Sequence, residues 1–105
     1  MAKSSQSERD EDQLFEAFAT SRGSKEARAF LADIATPREI AALAERWRIA
    51  GMLDAGTLTY REIAGLTGAS TATIVRVAKF LRDEPHQGYR VVLDRLAKSG
   101  LRDEQ

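Results

Sequence analysis

A chain of 105 residues builds one small domain with little core, and its 43% hydrophobic but only 7% aromatic content points to a core of Leu, Ile, Val and Ala, completed if need be by a partner. Sixteen basic and 16 acidic residues give zero formal net charge, which excludes a globally polycationic nucleic-acid binder and leaves the distribution of charge to decide. The absence of cysteine excludes a disulfide framework and a thiol nucleophile, and fits a reducing cytoplasm.

Residues 1–10 are polar and serine-rich and are expected to form a disordered N-terminal tail. The opening MAKSSQSERDEDQ lacks the apolar stretch of a secretory signal. No run nears the roughly 18 apolar residues of a membrane span, so a cytoplasmic protein is expected. Asp12 precedes a short helical pattern with Leu14, Phe15, Phe18 and Ala19 on one side, broken by Ser21-Arg22-Gly23. Ser24 can cap a second helix with Ala27, Phe30, Leu31 and Ile34 as its stripe. Both helices have wide apolar faces and few partners nearby in sequence. They pack onto the rest of the monomer or cross to a second subunit.

The strongest helix start is Thr36-Pro37-Arg38-Glu39. Thr36 caps, Pro37 suits the first turn, and Glu39 completes a capping box. This helix should run to about Ala55, where Gly56 ends it. Its apolar residues cover more than one side: Ile40, Leu43, Ala44 and Trp47 on one, Ile49, Met52 and Leu53 on another. A helix of that kind is central.

Residues 59–81, TYREIAGLTGASTATIVRVAKFL, read as a helix-turn-helix. Thr59 and Glu62 can form a capping box. Gly68 supplies a left-handed position, and Ser70 caps the second helix. Ala64 is small enough for two backbones to cross, with Ile63, Leu66, Ile74 and Val77 wedging the angle and Ala78 and Leu81 extending the stripe. The other face of the second helix holds Thr71, Ala72, Thr73, Arg76 and Lys79, with no acid between Gly68 and Arg82. Such a face can enter a major groove beside phosphates; the plainer alternative is an αα-hairpin with a solvated polar face. The basic excess is local: residues 61–82 hold Arg61, Arg76, Lys79 and Arg82 against Glu62, whereas residues 8–16 hold five acids and one base.

Asp83-Glu84-Pro85 closes that helix. A sixth helix starts near Gln87 or Gly88, with Tyr89, Val92, Leu93 and Leu96 as its stripe, and Ser99-Gly100 ends it. The expected organisation is thus all-α: a tail over 1–10, one helical domain over 11–98 with its helix-turn-helix at 59–82, and a C-terminal tail over 99–105. His86 is the sole histidine and has no companions for a metal site. No serine sits in a hydrolase motif, no Gly-rich phosphate loop occurs, and an enzyme is not expected.

Arg46-x-Arg48-Ile49, Gly56, Arg61-Glu62-Ile63 and the run Gly68-Ala69-Ser70-Thr71-Ala72-Thr73-Ile74-x-Arg76 resemble the Trp repressor superfamily, most of all its small bacterial YerC/YecD-type branch. The resemblance spans roughly residues 14–96. It implies an intertwined all-helical homodimer whose helix-turn-helix units project as two reading heads, that is, a transcriptional regulator binding double-stranded DNA. The family's base and phosphate contacts fall on Arg61, Thr71, Ala72 and Thr73; Ser70, Arg76 and Lys79 complete the DNA-binding set. A lysine of the family's first reading helix is Ala64 here. The family's corepressor arginines match Arg46 and Arg76. However, Val77 and Phe80 replace the small residues that leave room for an indole, and are expected to fill the pocket. Tryptophan is therefore not the expected effector. Arg46 and Arg76 bind another small anion, or brace the reading head. The competing reading is a non-enzymatic protein-interaction module on the same dimer, favoured by neutral charge and Ala64.

Overall fold

In the computed structural model, residues 5–100 are described. They form six α-helices: α1 (Gln6–Ala19), α2 (Gly23–Ile34), α3 (Pro37–Ala55), α4 (Tyr60–Thr67), α5 (Thr71–Arg82) and α6 (Gly88–Ser99). There is no strand among the described residues, and no helix is long and apolar enough to cross a membrane. The chain divides into two compact units, Met1–Ile40 and Ala41–Gln105.

The first unit starts earlier than the sequence suggests. α1 begins at Gln6, not at Asp12. The Ser5 hydroxyl accepts the Glu8 N–H at 3.0 Å, and the Glu8 carboxylate accepts the Ser5 N–H at 2.7 Å. This capping box, together with the Gln6–Asp10 side-chain hydrogen bond, organises residues expected to be disordered. Of the expected tails, residues 1–4 and 101–105 lie outside the described residues. α2 also differs at its start: Ser24 does not cap it. The helix begins at Gly23, and the Glu26 carboxylate reaches back to the Arg22 N–H at 2.8 Å.

Neither α1 nor α2 contributes a buried residue. Phe18 and Phe30 meet at 6.1 Å between ring centroids. Around them Leu14, Phe15, Leu31 and Ile34 line an apolar groove of about 300 Å³. Phe15 is 63% exposed and Ile34 54%. This unit has an apolar face and nothing of its own to cover it.

The second unit holds the core. Ile49, Ala50 and Leu53 of α3, Ile63 of α4, Ala69 of the turn, Ile74, Val77, Ala78 and Leu81 of α5, and Leu93 of α6 are all buried. α3 commits one side to this core, as its second stripe predicts, while Leu43 of its first stripe stays 45% exposed. Trp47 is half-buried and stacks on Tyr89 at 6.5 Å. Arg90 ties α6 to α3 through Asp54 at 2.8 Å, and reaches Asp94 on its own helix at 2.8 Å. Hydrogen bonds to those two carboxylates raise the Arg90 guanidinium above its usual value.

The helix-turn-helix follows its local signals closely. Thr59 and Glu62 form the expected box at 3.1 and 2.8 Å. Gly68 closes α4 with φ of 76°, a left-handed conformation that costs other residues strain. Ser70 caps α5. Leu66 is the exception. Expected in the wedge, it is 56% exposed. Thr67, one turn after Ile63, is half-buried. The Thr67 hydroxyl donates to the Ile63 carbonyl at 2.8 Å and accepts the Ala69 N–H at 3.1 Å, fixing the turn.

Candidate nucleic-acid interface and the groove beside it

α5 has two sides, and four residues decide which is free. Ile74, Val77, Ala78 and Leu81 face the core. At about 100° per residue the opposite arc holds Ala72, Val75, Arg76 and Lys79, with Thr71 and Arg82 at its border, and all six are exposed. No acid lies in the first turn of α5, and Lys79 and Arg82 lie in its last. Thr71, Ala72, Arg76 and Lys79 are thus brought together on one surface, as their spacing predicts.

Two other expected contacts are less free. The Ser70 hydroxyl accepts the Thr73 N–H at 3.1 Å, and the two hydroxyls lie 3.0 Å apart. Both side chains are committed to the cap, and Thr73 is only half-exposed. They shape the helix start that the arc begins from. Lys79 pairs with Glu84 at 3.7 Å, but its side chain remains 61% exposed. A surface pair of that length holds a lysine weakly. Arg61 is exposed on the first turn of α4, with no acidic partner within ion-pair distance among the described residues. The Arg82 guanidinium donates to the Tyr60 hydroxyl at 3.4 Å, linking the two helices of the motif. Val75 is the member of the arc that sequence reading passes over. Its hydrophobicity suggests the core, and only the angular projection places it outside.

Arg76 stands at the edge of the arc and also lines a groove. The groove measures about 490 Å³, within the ordinary range of small-ligand sites, and Arg46, Trp47, Val77, Phe80, His86 and Tyr89 are among its walls. Arg76 and His86 both stack on Phe80: the guanidinium carbon lies 4.4 Å from the ring centroid, and the imidazole is near-parallel at 6.0 Å. Val77 is 1% exposed and lines the groove. The groove is thus walled in part by Val77 and Phe80, the two residues expected to crowd out an indole. Phe80 is held against Arg76 and His86, and the groove stays open.

Burial raises the Tyr89 hydroxyl, and the positive charges of Arg46 and Arg76 act against that rise. Both arginines are thus electrostatically felt at one point of the wall. The groove combines apolar walls with two guanidinium groups, which suits a small anion with an apolar body. Among the described residues no cluster of His, Cys, Asp or Glu is suited to a metal ion.

The profile of the Trp repressor protein family matches residues 9–97. The chain belongs to the Trp repressor family. An uncharacterised protein of Bacillus subtilis (strain 168), YerC, is 40% identical over 88 residues, covering 84% of this chain and 83% of YerC. The crystal structure of a TrpR-like protein from Eubacterium eligens ATCC 27750 matches with a TM-score of 0.76 at 40% identity, over 89% of this chain and 91% of that one. The six-helix Trp-repressor-like fold is thus shared with a solved relative. Membership places the chain among non-enzymatic, DNA-binding regulators with a helix-turn-helix.

Proposed function

We propose that the protein is a homodimeric, sequence-specific DNA-binding transcriptional repressor that inserts α5 into the major groove of double-stranded DNA. The exposed, acid-free arc of α5 carries this reading. Its N-terminal residues are the ones a recognition helix directs at base edges. The N-terminus of α5 is capped by Ser70, and the partial positive charge there favours phosphate. Arg61 stands available for a guanine edge or a phosphate. Lys79 and Arg82 add phosphate contacts, and the zero net charge does not oppose them, because the acids concentrate elsewhere in the sequence.

A second copy of the chain suits the apolar faces left open. Leu14, Phe15, Phe18 and Ile34 in the first unit, and separately Leu43, Val91 and Val92 in the second, are 38–63% exposed. Contiguous apolar surface on a chain this small is a mark of association. A two-fold dimer then presents two α5 helices to half-sites about one helical turn apart, some 34 Å.

Selection of bound duplexes from a random pool should enrich a two-fold symmetric site, with log affinity falling linearly with log salt concentration. Arg61→Ala should cost about 1–3 kcal/mol and relax preference at one base pair per half-site, leaving the oligomer intact. Failure of a folded dimer to enrich any site at low salt would sink the regulator reading and leave a protein-interaction module in its place.

Arg46 and Arg76 are the proposed holders of a small anionic effector in the groove. A thermal-shift screen of amino acids and aromatic carboxylates should find a compound that raises Tm. The ligand contributes about 2.7 kcal/mol at a hundred times its Kd, and Arg46→Met should remove the shift. A shift with tryptophan itself would show that an indole clears Val77 and Phe80. Silence across the screen would leave the two arginines as braces of the reading head.

A further inference from the structure

The exposed arc of α5 carries one large apolar side chain. Val75 is 50% exposed. A solitary exposed hydrophobe is ordinary on a protein surface, so its exposure alone says little. Its position says more. Val75 lies between Thr71 and Ala72 around the helix, about 40° from the first and about 60° from the second. It is one turn after Thr71 and one turn before Lys79, in the N-terminal half of a 12-residue helix. A recognition helix directs that half at base edges, and its later residues at the backbone. Nothing in helix stability recommends valine here, because β-branched residues are poorer helix formers than alanine. Nor does the core use it, since Ile74 and Val77 on either side fill that role.

Valine has no hydrogen-bonding group. In the major groove the one base feature it matches is the C5-methyl of thymine; the cytosine amino group and the adenine amino group would lose water against it without gaining a partner. We infer that Val75 is a specificity-determining residue that reads a thymine methyl group in each half-site. This inference rests on the reading of α5 as a DNA recognition helix. It adds to that reading a base identity carried by the one large apolar side chain of the arc.

The test separates the two. Using the full-length protein, the symmetric site enriched from the random pool is remade with deoxyuridine in place of each thymine in turn, which removes only the methyl group. Binding of the parent and of Val75→Ala is then measured on every duplex. At one symmetry-related thymine, uracil should weaken the parent about fourfold per half-site, the worth of one buried methyl-sized group, or about 15-fold with both half-sites changed. Val75→Ala should lose the same factor on the thymine duplex and nothing further on uracil. The variant should fold at least as well as the parent, checked by its Tm. A uracil penalty that persists undiminished in Val75→Ala assigns the methyl contact to Ala72 or Thr71 and overturns the inference. So does a variant with unchanged affinity on both duplexes, and in either case the enriched site and its loss of definition in Arg61→Ala still support DNA reading. A pool with no enriched site removes both.

Discussion

Replacing Phe15 and Phe18 together by aspartate should leave a folded second unit but no dimer. Both rings lie on the apolar side of α1, at 63% and 43% exposed. Neither α1 nor α2 buries a residue. A pair of short helices with that much uncovered apolar surface does not hold itself together in water, since most helical stability comes from packing one face. In the proposed dimer each ring contributes roughly 1.5–3 kcal/mol by leaving water. The double substitution removes that from both chains and introduces four carboxylates, each costly to desolvate without a partner. Sedimentation velocity over a range of concentrations should show the parent as a dimer and the variant as a monomer. The DNA consequence follows from geometry. Two linked reading heads gain about 10²- to 10⁴-fold over one, so the monomer should lose most affinity for the symmetric site while keeping weak contact with a half-site. A variant that remains dimeric would move the interface to Leu43, Val91 and Val92. A monomeric parent would remove the dimer from the proposal altogether.

What the sequence makes legible divides by the range of the interaction. Caps span three residues, so Thr36 with Glu39, Thr59 with Glu62, and Ser70 ahead of α5 all read correctly from the chain. The left-handed ends at Gly56, Gly68 and Gly100 read equally well, because glycine tolerates that conformation. The miss at the start of α1 has the same origin in reverse. Ser5-Gln6-Ser7-Glu8 is itself a capping-box sequence, but its polar, serine-rich composition suggests a tail, and the local hydrogen bonds outweigh composition. Leu66 fails for a different reason. Hydrophobicity points it inward, yet it stays 56% exposed, while the turn beside it is fixed by the Thr67 hydroxyl, which satisfies both the Ile63 carbonyl and the Ala69 N–H.

The groove is the least legible feature. Its walls come from α3, α5, the loop before α6, and α6 itself. Phe80 meets Arg76 at 4.4 Å and His86 at 6.0 Å, contacts that no single stretch of sequence announces. His86, expected to be an idle loop residue, thus stands in the groove wall against Phe80. The arginines are identifiable through the family resemblance; the groove that they line is not.

Ile74→Ala should be among the most damaging single substitutions in the second unit, and its neighbour shows why. Ile74 and Val75 are adjacent, both β-branched and both on α5. Ile74 is 0% exposed and meets the core formed with Ile49, Ile63 and Leu93, whereas Val75 faces outward. Truncating a fully buried isoleucine to alanine costs about 2–5 kcal/mol, because transfer energy is lost and the cavity does not fully collapse. For a domain near 100 residues each kcal/mol lowers Tm by roughly 4–8 °C. Urea unfolding at fixed protein concentration should therefore show a sharply lower midpoint for Ile74→Ala, while Val75→Ala should match or exceed the parent. Binding should separate them in the opposite sense. Ile74→Ala, assayed cold where it remains folded, should select the same DNA site as the parent. Val75→Ala should be fully folded and select a site with one thymine less defined. Were Ile74→Ala to cost under about 1 kcal/mol, α5 would not be clamped at its centre. The exposed arc could then not be held at the fixed angle that reading a base edge requires.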